Sequence, residues 1–372
     1  MKNLIAFYDP PSNFRTTIED IPQLAANDLR PNEVLIKVSV AGSNPKDSKH
    51  PRPDYFNIKL NQGDGCAGLI TAVGSKVRNF RSGDRVAGFH HLDTPHGTYA
   101  ELAICPAHTV FHLPESISDE EAATIPLAAF TAAVGLYRNL QLPVPWDRSD
   151  KRAPNGDKKI PLVVNAASSA VGSFAIKLAK MNPRIGPVIA IAGVSSDFVK
   201  IELGVDVVLD YRSPTIGDDL REALHGLELN HVFDAANSLA SVKYLSAVLN
   251  PHGGGRYTCT LPVGPSIYDP EGNAENFLRE TGIWHEQIWV GDVFGVKLEK
   301  KRDGIGVVQV PAKDKIEGVW FGAVMSKVFE MGLADGVFSG HPYEVVEGGL
   351  EGVQGALEKL GEGNRGNNLG SS

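Results

Sequence analysis

From about residue 4 to residue 112 the chain alternates short apolar runs with Gly, Pro and Asp turns, as in EVLIKVSVAG, GLITAVG and DRVAGF. Apolar runs of that length, closed by turn residues, predict β-strands, and this stretch reads as mostly β. The period then changes. In SISDEEAATIPLAAFTAAVGLYRNL, Ser118 precedes Asp119, Glu120 and Glu121 and then an apolar helical pattern, which predicts a capped helix start and a domain junction. Residues 143 to 159, PVPWDRSDKRAPNGDKK, are Pro-rich and charged without periodicity and read as an exposed loop.

Beyond that loop strand-like and helical runs alternate: PLVVNA, AVGSFAIKLAKM, PVIAIAG, SDFVKIELG, DVVLDY, a helix through Leu220 and Leu224, and NHVFDAA. This is a βαβαβ order, with further strands expected at GGRYTCTLP and QIWVGDVFGV. Short connections of this kind predict a parallel, doubly wound α/β sheet covered by helices on both faces. After Val296, helices are expected near EGVWFGAVMSKVFEMG and LEGVQGALEKLGEG, in a tail too short for a third core. The expected division is therefore a mostly-β domain at 1–126, the doubly wound domain at 127–296, and a return of 297–372 to the first domain. No internal repeat is found.

The length of 372 residues agrees with two domains. A hydrophobic share of 42% against 22% charged residues, with no apolar run long enough for a bilayer, excludes a disordered or membrane-spanning chain. The net charge of −8 and the lack of a basic block exclude nucleic acid and anionic lipid as partners. Cys66, Cys105 and Cys259 are far apart in sequence and build neither a disulfide framework nor a zinc lobe. The N-terminus MKNLIAFYDPPSNF has no signal or transit character, so a cytoplasmic, reduced protein is expected.

The strand that ends at Asn165 runs into AASSAVG and then a helix. A dinucleotide pyrophosphate rests at such a turn, on backbone N–H groups and the helix dipole. Ala167 and Ser169 stand where the first two glycines of GxGxxG would fall, and only Gly172 remains. The turn is thus either a pyrophosphate site, formed by Ser168, Ser169, Ala170, Val171 and Gly172, or ordinary strand-to-helix packing. The next strand ends in Ala192, Gly193, Val194, Ser195 and Ser196, with no carboxylate to hold a ribose 2′-OH. Ser195 and Ser196 can donate hydrogen bonds to a 2′-phosphate, Lys200 can supply charge, and Tyr211 can pack near the adenine. NADPH is therefore expected over NADH, although Lys200 also reads as a solvated helix-face lysine. Asn237 and Ser238 follow HVFDAA at the carboxyl edge of the sheet, where a nicotinamide ribose is expected; Ser238 equally reads as a helix N-cap.

Together with NPKDSK (44–49), AGLITAVGSKVRNFRSGDRVAGF (67–89), GTYAELAICPAHTVFHLPESISDEEAATIPLAAFTA (97–132) and the terminal HPYEVVEGGLEGVQGALEKL, these residues resemble the medium-chain dehydrogenase/reductase superfamily over nearly the whole chain. Within it the chain is most similar to the zinc-free quinone oxidoreductase and enoyl reductase branch, in particular to fungal trans-acting enoyl reductases. The resemblance implies a GroES-like catalytic domain at both chain ends, a Rossmann domain inserted between them, and a cleft between the two for nicotinamide and substrate. Zinc members carry Cys where this chain has Asn44-Pro45, and Gly-His-Glu where it has Gly63-Asp64-Gly65, so no metal is expected. His90, His91 and His96 lie close together but lack an i, i+4 pairing and a Cys partner.

Without a Lewis acid, the implied reaction is hydride addition from NADPH to the β-carbon of an enoyl thioester or enone, followed by protonation of the α-carbon. A quinone is the alternative acceptor. By resemblance Tyr55, eleven residues beyond Asn44, is a candidate proton donor; otherwise it packs beside Phe56 at a loop edge. Asn44 either holds the substrate carbonyl or cofactor ribose, or makes an Asn-Pro turn. Thr131 either touches the nicotinamide or bonds back into its own helix turn. Partners implied are a small-molecule or acyl-thioester substrate and a polyketide synthase or acyl carrier protein, with the chain a monomer or homodimer. The rivals are a non-catalytic NADPH-binding sensor or synthase partner, and an alcohol dehydrogenase with an improvised metal. Two departures from the family stand out: GDGCAG is offset by one residue, and the chain ends RGNNLGSS without an apolar final strand.

Overall fold

The computed structural model describes residues 1–10, 14–51, 59–146, 159–250, 254–260, 271–281, 283–301, 304–309, 312–361 and 368–371. They divide into two compact units, Met1–Phe130 with Val290–Ser372, and Thr131–Trp289. The Pro-rich stretch 147–158 lies outside the described residues.

The first unit begins with a hairpin of β1 (Lys2–Phe7) and β2 (Arg15–Asp20). Its main sheet is built from β3 (Glu33–Gly42), β4 (Gly65–Val73), β5 (Arg85–Phe89), β6 (Leu102–Pro106) and β7 (Val110–His112). The long β3 pairs antiparallel with β4 over most of its length and with β6 over its first half. Inward side chains of these strands, among them Val34, Ile36, Cys66, Ile70, Val86 and Cys105, form one buried cluster, as strand alternation requires. The short helix α1 (Lys46–Lys49) follows β3 directly.

The capped helix expected at Ser118 is present. Ser118 Oγ accepts from Glu121 N–H at 3.1 Å and opens α2 (Asp119–Ala123). It does not run on as one helix, because Pro126 has no N–H to give and instead starts α3 (Pro126–Ala133), where a first-turn proline fits. From Val134 to Asn139 the helix widens to i→i+5 bonding, with Leu140 N–H donating to Gly135 O at 2.9 Å. A Cβ at Gly135 would overlap the Phe233 ring, so this widened turn lies directly on the sheet of the second unit.

That sheet contains β8 (Ile160–Asn165), β9 (Ile185–Ala192), β10 (Val207–Asp210), β11 (His231–Asp234), β12 (Arg256–Cys259) and β13 (Trp284–Gln287). All described pairings are parallel, and the spatial order is β10-β9-β8-β11-β12-β13. This is the 3-2-1-4-5-6 order of a Rossmann sheet. The central strands β8 and β9 are buried and largely apolar on both faces, and the sheet packs with α4 (Ala170–Lys180), α5 (Ile216–Ala223), α6 (Leu239–Ser246) and α7 (Asn273–Thr281). Val163, Ile191, Leu220, Val232, Leu245 and Tyr257 sit at the centre of one buried cluster here.

Three further readings change. SDFVKIELG is a short i→i+5 stretch at Phe198–Glu202 and not a regular α-helix, with Leu203 N–H donating to Phe198 O at 3.2 Å. In QIWVGDVFGV the strand ends at Gln287, and Val290–Phe294 forms a tight 3-10 turn that buries Val293 and Phe294 in the first unit. The chain then makes a hairpin of β14 (Val296–Lys301) and β15 (Gly304–Gln309), the long helix α8 (Ala312–Ala334), β16 (Tyr343–Val346) and α9 (Val353–Gly361). Phe329 on α8 stacks on Phe338 at 5.4 Å and meets Phe111 and Phe130 edge-on at 5.8 and 5.1 Å. Although polar, the terminal NLGS forms β17 (Asn368–Ser371), parallel to β16 and antiparallel to the end of β3. Backbone hydrogen bonding closes this edge without an apolar side-chain pattern.

At the end of β3, Gly42 lies so near α2 that a Cβ there would overlap the Ala123 carbonyl oxygen. Gly42→Ala is expected to destabilise the protein by about 1–3 kcal/mol through overpacking, read as a lower urea midpoint at unchanged m-value.

Candidate functional site

In the second unit the chain leaves β8 through Ala166, held at φ +52°, and Ala167 N–H donates to Ile191 O of β9 at 3.0 Å. Ser169 is the N-cap of α4. Its Oγ donates to Ala166 O at 2.7 Å and accepts from Gly172 N–H at 3.1 Å, so this hydroxyl shapes the turn. A Cβ at Gly172 would overlap Ala166 O and lie 3.0 Å from Ala167 Cα, so the remaining glycine of the motif brings the helix onto the strand. The N–H groups of Ala170 and Val171, in the first turn of α4, have no acceptor among the described residues, and Ser168, Ser169, Ala170 and Val171 are half-buried. Such a helix start, with unspent N–H donors and no carboxylate, is chemically suited to an anionic pyrophosphate.

At the ends of the neighbouring strands, Ser195 and Ser196 are half-buried and Lys200 is exposed. The Tyr211 ring packs on the Cα of Gly193: a Cβ there would stand 2.7 Å from its Cε1. Arg212, which the sequence reading missed, lies 5.8 Å from the Tyr211 ring centroid and forms an ion pair with Asp210 at 2.5 Å. The hydrogen bonds and charge of Arg212 bring the Asp210 carboxyl down to about 2. The acidic end of β10 is thereby neutralised beside the turn that carries Ser195 and Ser196.

At the end of β11 a fully buried carboxylate organises the sheet edge. Asp234 Oδ1 accepts from Asn165 Nδ2 at 2.8 Å and from the N–H groups of Ala236 and Asn237 at 2.8 and 2.9 Å. Its Oδ2 accepts from Ser241 Oγ at 2.8 Å and from the Tyr257 hydroxyl. Burial and the neighbouring Asp234 charge push the Tyr257 hydroxyl well above its usual range, so it stays a donor. Asn237 is thus pinned at φ +47°, with 6% of its surface exposed. Ser238 is the N-cap of α6, in a capping box with Ser241: its Oγ accepts from Ser241 N–H at 3.0 Å. Thr131 lies in α3 with 8% exposed.

In the first unit Asn44 is 9% exposed, and its N–H donates to Asp47 Oδ2 at 2.8 Å. Asp47 also accepts from the Tyr99 hydroxyl at 2.9 Å. Lys46 Nζ ties this segment to the next one, donating to Gln62 O at 2.8 Å and pairing with Asp64. The sequence reading missed Lys46, Asp47, Asp64 and Tyr99 as a group, although NPKD and GDG already carried the charges. Tyr55 lies outside the described residues. Among the described residues no three His, Cys, Asp or Glu side chains are grouped to hold a metal. His90 Nδ1 lies 2.7 Å from Ile104 O and Nε2 3.1 Å from Thr94 O, and His91 Nδ1 lies 3.0 Å from Leu92 O. Burial brings His90 down to about 4. Among the described residues no helix is long and apolar enough to cross a membrane.

Residues 30–115 match the alcohol dehydrogenase GroES-like domain. The trans-enoyl reductase fsr4 of Gibberella fujikuroi is 35% identical over 329 residues, which cover 87% of this chain and 86% of its own. The trans-enoyl reductase caaB of Aspergillus niger is 29% identical over 334 residues, covering 87% and 85%. Among solved structures, the CurK enoyl reductase superposes with a TM-score of 0.72 at 19% identity, covering 100% of this chain and 99% of that one. The quinone oxidoreductase of Coxiella burnetii superposes at 0.65 with 20% identity, covering 100% and 98%. The two structures speak for the fold.

Two outcomes are expected. Asp234→Asn places an NH2 group against donors and should cost about 3 kcal/mol of unfolding free energy, read by urea titration. His90, near 4 when folded and about 6.5 when unfolded, stabilises the neutral protein. That contribution is complete above about pH 6.5 and falls by up to about 1.4 kcal/mol per pH unit towards pH 4. His90→Gln should flatten the pH dependence of stability in that window.

Proposed function

Because the chain belongs to the medium-chain dehydrogenase/reductase superfamily, alongside the trans-enoyl reductases, we propose that it is an NADPH-dependent, zinc-independent reductase of an activated C=C. The observation that carries the cofactor choice is the end of β9. Gly193, Val194, Ser195 and Ser196 offer hydroxyls and no carboxylate, Tyr211 packs on Gly193, and the carboxylate that ends β10 is paired with Arg212. A 2′-phosphate meets donors and neutralised charge there, whereas an NAD-type site holds the ribose hydroxyl with an acid.

The residues present suit the cofactor. Ala170 and Val171 N–H groups would hold the pyrophosphate in a turn shaped by Ser168, Ser169 and Gly172. Ser195, Ser196, Lys200 and Tyr211 would hold the 2′-phosphate end, and Asn237, fixed by Asp234, would hold the nicotinamide ribose together with Ser238. When bound, NADPH supplies the hydride. Thr131 would orient the nicotinamide end; in the first unit, the Asn44 carboxamide would hold a substrate carbonyl, since its backbone N–H is already given to Asp47. A donated hydrogen bond on that oxygen stabilises the charge that develops as the hydride arrives.

Zinc independence is supported by the donor chemistry: where a metal-dependent site needs free carboxylate or thiolate ligands, Asp47 and Asp64 are paired with the Lys46 ammonium. The relatives named trans-enoyl reductases support an enoyl compound as substrate; that it is a thioester presented by a separate synthase or carrier protein, in the cytoplasm, is part of the same proposal.

NADPH oxidation should be seen with enoyl thioesters and simple enones. Turnover with quinones alone would assign the protein as a quinone reductase, and tight binding without turnover on any acceptor would make it a sensor or synthase partner. Fluorescence titration should show NADPH bound at least about tenfold more tightly than NADH. Lys200→Ala should weaken NADPH by about 5- to 10-fold and leave NADH unchanged; equal affinity for the two cofactors would defeat the 2′-phosphate reading.

A further inference from the structure

The long helix α8 is apolar on two sides, and the fold of one chain covers one of them. Its inner side presses on the first unit: a Cβ at Gly318 would overlap Asp292 O, and Met325, Phe329 and Leu333 are buried. The helical period puts Ile316, Trp320, Ala323, Lys327 and Met331 on the opposite side, three or four residues apart along one line. There Ile316, Trp320 and Met331 are 68%, 67% and 55% exposed. A helix that is apolar all round is ordinarily covered all round, so the outer side of α8 has the character of an interface.

The order of residues along this line selects the occupant. Between positions 313 and 330 three lysines and three acids alternate, which leaves no net charge to attract a strongly acidic or strongly basic protein. About a point between Ala323 and Val324, however, the line is complementary to itself. Ile316 and Met331 lie equally far from that point, Trp320 and Lys327 do as well, and Lys313 and Asp335 close the two ends. Laid antiparallel on a second copy about a two-fold axis, Ile316 meets Met331, the Trp320 ring meets the Lys327 ammonium, and Lys313 meets Asp335. Each contact occurs twice. Asp335 has no ion pair of its own among the described residues, and Ala323 beside the axis is small enough for the two backbones to approach closely. The acids that flank the line are neutralised within one chain, Glu317 by Lys313 and Glu330 by Lys327.

We propose that the outer side of α8 is a homodimer interface, in which two copies pack antiparallel about a two-fold axis at Ala323. The apolar part comes to roughly 400 Å² per copy, against roughly 800 Å² per partner in a standard interface, so the charged rim supplies the rest and association falls in the micromolar range. Trp320 is its anchor, since large aromatic side chains near the centre of an interface carry most of its binding energy. None of the residues assigned above to cofactor or substrate lies on α8, so each copy keeps its own set and association is separable from catalysis.

Sedimentation velocity of the full chain from about 1 to 200 µM should show a monomer–dimer equilibrium. Trp320→Asp, at an exposed position, should leave the circular dichroism unchanged and weaken the dimer by about 30-fold or more. Lys313→Glu should weaken it by about 3- to 10-fold, and Lys313→Glu with Asp335→Lys should recover the wild-type dimer, which a disturbed fold would not do. A short bismaleimide reads the register, because Cys66, Cys105 and Cys259 are buried and do not compete for it. Ala323→Cys, beside the axis, should give a covalent dimer; Lys313→Cys, about 30 Å from its counterpart, should not. A wild-type chain that stays monomeric at about 200 µM would overturn the proposal and leave the face to a different protein. Equal dimerisation of Trp320→Asp, or crosslinking through Lys313→Cys in place of Ala323→Cys, would overturn it as well.

Discussion

The second unit is organised around one carboxylate. Asp234 is fully buried, and a buried ionised group is tolerated only when its lone pairs are met. Asn165 arrives from the end of β8, Tyr257 from β12, Ser241 from the first turn of α6, and two backbone N–H groups from the chain just beyond β11. Three adjacent strands and a helix start thereby share one acceptor, so their carboxyl ends form a single edge with little freedom to slide. The left-handed turn at Asn237 follows from it, because its N–H can reach Asp234 Oδ1 only if the chain reverses there. Asn165, whose Oδ1 accepts from the Tyr244 hydroxyl at 3.0 Å, extends the same network to the strand that feeds the turn before α4.

The first unit solves a similar problem less completely. Lys46 joins the α1 segment to the start of β4, and Asp47 joins Asn44 to Tyr99. Here, however, buried oxygens of Asp64 and Asp93, the amide nitrogen of Gln62 and the hydroxyl of Thr98 are without hydrogen-bond partners among the described residues. Around Asp234 the donors arrive from backbone and side chains in matched geometry; around Lys46 a single flexible ammonium serves several acceptors at once.

Much of the fold was legible because periodicity and chain order report burial directly. The strands from EVLIKVSVAG to DVVLDY, the cap at Ser118 and the strand-to-helix turn at AASSAVG all follow from local rules, and each is found where the pattern put it. The misses have physical causes. A run such as QIWVGDVFGV is apolar because it is buried, and burial alone does not separate a strand from a tight turn packed in a core. NLGS pairs through its backbone, which leaves no mark in side-chain type. The Asp234 network joins residues 69 positions apart, and no local pattern carries that. Lys46, Asp47 and Asp64 were passed over because a charged residue in a turn is ordinarily solvated; only the fold shows three of them enclosed together.

Stability does not account for that enclosure. Replacing a buried ion cluster by apolar side chains of similar volume is commonly neutral or stabilising, so burial of charge by itself is weak evidence for a structural purpose. The Asp234 carboxylate escapes this objection because each of its contacts orders an element of the sheet edge. The Lys46 cluster does not, since one link between α1 and β4 would need a single partner, and the second carboxylate with its unmet oxygen adds only cost. Held together by charge and not by matched donors, the cluster costs this core more than one neutral link between α1 and β4 would.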